Sequence, residues 1–92
     1  MAQVRTEERP ALSVIVAANV YGLRRAKEPP WSQEKLARHA ELSAATIRVV
    51  EGARDPGRNS NALRLDTLER IADALGVDPA RLLEWDPEAT RV

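Results

Sequence analysis

The stretch SQEKLARHAELSAATIRVVEG, residues 32 to 52, decides how this chain is read. Ser32 is a helix N-cap residue, because its hydroxyl accepts from an N–H of the first turn, and Gln33 opens the helix behind it. Leu36, Ala37 and Ala40 fall on one face at helical spacing. Glu41-Leu42 forms a turn. Ser43 caps a second helix, Ala44 to about Val50, whose Ile47 and Val50 point back at the first. Trp31 with Leu36, and Leu42 with Ile47, each pair the residue before a cap with the fourth helical residue, the pattern of a hydrophobic staple. Two staples so close in sequence predict two short helices held at a fixed angle rather than one continuous rod.

Outward from this pair, the rest of the chain also reads as helices. Pro10 suits a first helical turn, and from there to about Lys27 the apolar positions Leu12, Val16, Val20 and Leu23 follow helical spacing, with Ile15 and Asn19 flanking the stripe. Glu28-Pro29-Pro30 ends that helix. Gly52 reads as the left-handed residue that closes the second short helix. Residues 53 to 64, ARDPGRNSNALR, form a basic loop with Pro-Gly and Asn-Ser-Asn turn chemistry. Asp66 with Glu69 predicts a capping box for a helix whose inner face is Leu68, Ile71, Ala72 and Leu75 and which Gly76 ends. Asp78-Pro79 starts a last helix, with Val77 and Leu82 as a third staple. The expectation is an all-α chain: a compact five-helix bundle over residues 10 to 85, a flexible N-terminal arm at 1 to 9 and a polar tail at 86 to 92.

Ninety-two residues make one small domain. With 43% apolar residues but only 3% aromatic ones, Ala, Leu, Val and Ile must fill the core, which suits close-packed helices. The absence of cysteine excludes disulfides and thiolate metal sites. No apolar run approaches the roughly 20 residues of a membrane span. The apolar run from Ala11 to Val20 lacks the flanks of a secretory signal, so a cytoplasmic location is expected. One histidine, His39, and scattered carboxylates offer neither a nucleophile–base pair nor metal-ligand spacing. There is no glycine-rich phosphate loop, so an enzyme is not expected, nor any cofactor or metal.

Formal net charge is zero, but the charge is unevenly spread. Residues 24 to 64 hold nine Arg/Lys and five acids, whereas 65 to 92 hold three basic residues and seven acids. The positive half contains the helix pair, and such polarity steers one face toward phosphate. The bland alternative is a solvated surface.

The matching residues Gln33, Leu36-Ala37, Leu42-Ser43, Ile47, Val50 and Glu51-Gly52 make this pair resemble the helix-turn-helix of the Cro/cI-like phage repressors, the XRE family. Thr67 to Val77 (TLERIADALGV) resembles the family's fourth helix, and the likeness covers roughly residues 12 to 85. Small Ala37 sits where two such helices cross closely. Two departures stand out. The family commonly has Gly where this chain has Glu41, and residues 53 to 64 are longer than its usual loop.

The resemblance implies a double-stranded DNA-binding transcriptional regulator, a repressor, acting as a homodimer. Ala44, Ala45, Thr46, Arg48 and Val49 would face base edges in the major groove. Of these, Arg48 suits guanine, and the apolar side chains suit thymine methyls. Gln33, Ser43, Lys35, Arg38, Arg54 and Arg58 would contact phosphates, with Gln33 at a helix N-terminus where N–H groups attract anions. The resemblance also places an Arg at the end of the first helix, Arg24 or Arg25, against the Glu that closes the recognition helix, and assigns Arg24 to Glu51; without it, the two are surface charges. Leu82, Leu83 and Trp85 fall where the family often forms its dimer contact, or simply close the core. Arg5 and Arg9 could reach DNA from a terminal arm. The apolar recognition face and zero net charge leave a second class open: a protein-interaction module, such as the antitoxin of a toxin pair or a regulator that binds a transcription complex.

Overall fold

The computed structural model describes residues 9 to 55 and 63 to 85. Four α-helices follow in order: α1 (Leu12–Arg25), α2 (Gln33–Ala40), α3 (Ala44–Gly52) and α4 (Leu65–Leu75). A 3₁₀ helix, Pro79–Leu83, is the last element among the described residues. The expected fifth α-helix is therefore a single 3₁₀ segment: Asp78 caps it through Ala80 N–H at 2.9 Å, and five residues are too few for a second α-helical turn to propagate. The expected arm and tail, apart from Arg9, and the loop segment 56 to 62 lie outside the described residues.

The caps of α2 and α3 follow the local sequence. Ser32 Oγ accepts from Lys35 N–H at 3.0 Å, and Ser43 Oγ from Thr46 N–H at 3.1 Å. Helix α2 ends on Glu41 in the left-handed region (φ 59°, ψ 42°), with Leu42 N–H bonded back to the Ala37 carbonyl at 2.9 Å. Helix α4 ends in the same way on Gly76 (φ 78°), with Val77 N–H on the Ala72 carbonyl at 3.0 Å. Both are Schellman-type closures. Three expected ends differ. Helix α1 starts at Leu12 behind Ala11, so Pro10 precedes it. Gly52 lies within α3, which ends on Ala53 with ordinary right-handed backbone. Helix α4 starts at Leu65, behind Arg64, and Asp66 is its second residue. There the Asp66 carboxylate accepts from its neighbour Thr67 N–H at 2.9 Å and from Arg64 Nε at 3.1 Å, and it forms no capping box.

The core is aliphatic, as the composition requires. Val16 and Val20 of α1, Leu36 and Ala37 of α2, Ile47 of α3, Leu68, Ile71, Ala72 and Leu75 of α4, and Leu82 form one buried cluster. Trp31, Leu42 and Val77, the outer members of the three expected staples, are partly buried and pack against this cluster. Each large aliphatic buried in this way contributes roughly 1.5–3 kcal/mol.

A polar fastening joins the two ends of the fold. Asn19, buried on α1, donates its amide to the carbonyls of Leu82 and Glu84 at 2.9 and 2.8 Å. Lys27 Nζ donates to the Leu75 carbonyl at 3.1 Å, placing a cation at the negative end of α4.

Candidate nucleic-acid interface

Helix α3 has an inner and an outer face. Ile47 is fully buried and Val50 packs on the core, while Glu51 is 3% exposed. Outward point Ala45, Arg48 and Val49; Val49 is 55% exposed and the Arg48 side chain 56%. The five residues expected to face bases do not all share this outer surface. Ala44 is half-buried and packs on the core, and the Thr46 hydroxyl is 2.9 Å from Ser43 Oγ, within the cap. Arg48 Nη1 lies 3.7 Å from Glu34 Oε2 with both side chains largely exposed, a pair of small energetic weight.

The back of α3 is held by one carboxylate. Glu51 takes Arg24 Nε on Oε2 at 2.7 Å and Arg24 Nη2 on Oε1 at 2.8 Å, a two-point contact between nearly buried groups. Arg24 Nη1 donates to the Trp31 carbonyl at 2.7 Å. Gln33 Nε2 adds a third bond, to Glu51 Oε1 at 3.0 Å. One carboxylate thus links α1, α2 and α3, and charge-assisted, two-point geometry makes that link both strong and directional.

The residues expected to meet phosphate are spread around this core. Gln33 is half-buried at the start of α2, its side chain committed to Glu51 and its backbone at the positive end of the helix dipole. Ser43 is committed to its capping role. Lys35 Nζ lies 5.5 Å from the Trp31 ring centroid, and that ring stacks on His39 at 4.5 Å. Arg38 is exposed on α2. Arg54 follows α3, its guanidinium 3.6 Å from the centroid of Tyr21 and its Nε donating to the Glu51 carbonyl at 3.4 Å. Arg58 lies outside the described residues. Gln33, Arg48, Glu51, Gly52, Arg54 and Asp55 line a polar cleft of about 310 Å³ between the start of α2 and the end of α3. On the other side of α3, Val16, Ala45, Val49, Val50 and Leu63 are among the residues lining an apolar groove of about 380 Å³.

Three contacts escaped the sequence reading. The Gln33–Glu51 bond joins residues 18 apart, and the Tyr21–Arg54 stack joins residues 33 apart, with no local pattern to announce either. Asn19 carried a weak signal as a polar residue beside an apolar stripe. Among the described residues no group of three His, Cys, Asp or Glu is placed to hold a metal, and no helix is long and apolar enough to cross a membrane.

Residues 23 to 88 match the family described as Cro/C1-type HTH (helix-turn-helix) DNA-binding domain. The chain belongs to that family. In this Cro/C1-type chain, α2 and α3 are two short helices joined by the turn at Glu41-Leu42. The fold is also similar to the crystal structure of a hypothetical transcription factor, NHTF, from Neisseria, with a TM-score of 0.72 and 31% sequence identity over 96% of this chain and 90% of that one. No match is found among curated proteins.

Proposed function

We propose that this Cro/C1-type protein is a sequence-specific, double-stranded DNA-binding transcriptional regulator that acts as a repressor. The observation that carries the reading is the division of α3. Its inner face is anchored by the Arg24–Glu51 pair, and its outer face presents Ala45, Arg48 and Val49 to solvent. In this mechanism the outer face enters the major groove, where Arg48 takes the O6 and N7 of a guanine and Ala45 and Val49 lie against thymine methyls. The start of α2, with Arg38 and Arg54, meets the backbone and sets register. A homodimer would set two copies of α3 in half-sites roughly 34–36 Å apart.

Selection of bound duplexes from a random pool, followed by titration of the winner at rising salt, tests this reading. The expected result is a conserved, two-fold symmetric site and an affinity that falls linearly on logarithmic axes as salt rises. A pool that yields no preferred sequence overturns it.

The apolar groove beside Val49 favours a second reading, an interaction module such as an antitoxin that grips a partner protein. Arg48→Ala separates the two: a DNA reader loses sequence preference, whereas a protein binder keeps its partner.

A further inference from the structure

Tyr21 is half-buried on α1, outside the two helices of the motif. Three arginines surround its ring. The guanidinium carbon of Arg54 lies 3.6 Å from the centroid, and those of Arg24 and Arg25 lie at 5.4 and 5.8 Å. The charge of Arg24 is satisfied by Glu51. Arg25 and Arg54 are exposed, and among the described residues neither has a carboxylate within ion-pair distance.

An arginine ordered by a carboxylate has spent its charge. An arginine ordered by a ring has given up side-chain freedom but keeps its charge and most of its donors for another anion. Arg54 is of the second kind. Its planar group is pinned between the Tyr21 ring and the Glu51 carbonyl, at the rim of the cleft that Gln33 and Arg48 share. A pre-ordered, planar fork suits two-point contact with a phosphate.

We propose that Tyr21 is a positioning residue of the DNA interface, a platform that presets Arg54 as the clamp for one backbone phosphate. The inference rests on the DNA reading above, and adds that part of the register on the duplex is set from α1.

The test uses the full chain and a duplex selected from a random pool, with affinity followed by fluorescence anisotropy across a salt series. Arg54→Ala is expected to lower the slope of log affinity against log salt by about one. Tyr21→Phe keeps the ring and is expected to bind like the parent. Tyr21→Leu is expected to weaken binding by about two- to fivefold, and to have no further effect in an Arg54→Ala background. Arg54→Lys, at an exposed position, keeps the charge and removes the planar guanidinium from over the ring, and the same loss is expected.

Equal loss from Tyr21→Leu in both backgrounds, parent-like binding by Arg54→Lys, or an unchanged slope in Arg54→Ala overturns the platform while leaving the major-groove reading intact. A chain that selects no duplex at all fails the DNA reading, and the platform with it.

Discussion

The Glu51 carboxylate at the end of α3 and the Arg24 guanidinium at the end of α1 meet in two parallel hydrogen bonds of 2.7 and 2.8 Å, although 27 residues separate them in sequence. Both groups are almost fully buried, so each is tolerated only because the other is there. Arg24→Met leaves the carboxylate with only Gln33 and is expected to cost roughly 3–5 kcal/mol in chemical denaturation. Replacing both partners together with apolar residues is expected to cost much less, because no uncompensated charge remains. A double-mutant cycle in urea checks this, and additive losses would contradict it.

Ser43 is expected to matter beyond its own exposed position. Its hydroxyl accepts from Thr46 N–H and lies 2.9 Å from the Thr46 hydroxyl. Ser43→Ala removes the cap of α3 and should cost about 1 kcal/mol. Amide hydrogen exchange should localise the loss to the first turn of α3; a loss spread evenly over the fold would rule out a capping role.

Glu41 holds the left-handed position that closes α2, at φ 59°. A side chain there costs about 1–2 kcal/mol, and glycine regains part of that while adding freedom to the unfolded chain. Glu41→Gly is therefore expected to stabilise the fold by about 0.5–1 kcal/mol. A lower melting temperature would mean that the exposed ion pair of the Glu41 carboxylate with Arg70 outweighs the backbone term.

Arg48 and Arg38 should affect DNA binding in different ways. Arg48→Ala is expected to lose about 1–3 kcal/mol of discrimination at one base pair. Arg38→Ala, on exposed α2, is expected to weaken all sequences alike and to lower the salt slope by about one. Competition among duplexes that differ at single positions reads both effects. If Arg48→Ala kept the parent's preference at every position, the role of Arg48 would pass to other residues.

The hydrogen bond from the Arg64 guanidinium holds the Asp66 carboxyl below its ordinary value of 3.8. Because the folded value is the lower one, whatever stability this contact adds is present above 3.8 and disappears as the pH falls through the folded value. A carboxyl NMR titration should show the Asp66 value rising toward the ordinary one in Arg64→Ala. Identical titration curves in the two proteins would show that the contact does not persist in solution.

The helix pair was legible because its signals are local. Ser32 and Ser43 act within a turn of themselves, and each caps the helix that its position announces. The misread ends have an equally local cause. Asp66 reads as a cap, but it sits one residue inside the helix and turns to Arg64. Gly52 reads as a terminator, yet α3 runs through it because glycine also accepts ordinary helical backbone. The Arg24–Glu51 pair came from family likeness, not from any pattern in the residues themselves. The commitment of Gln33 to Glu51, and the place of Arg54 on Tyr21, were hidden because they depend on how α1, α2 and α3 cross.

The two-sided construction of α3 bears on how such a protein can diversify. Ile47, Val50 and Glu51 seat the rod; Ala45, Arg48 and Val49 are exposed, and the Arg48–Glu34 pair that reaches α2 is a weak surface one. Outer side chains can therefore be exchanged one by one while the scaffold keeps its stability, so new binding preferences are open to drift and to engineering by grafting. The tilt of the rod, shared by three helices through one carboxylate, has no such freedom.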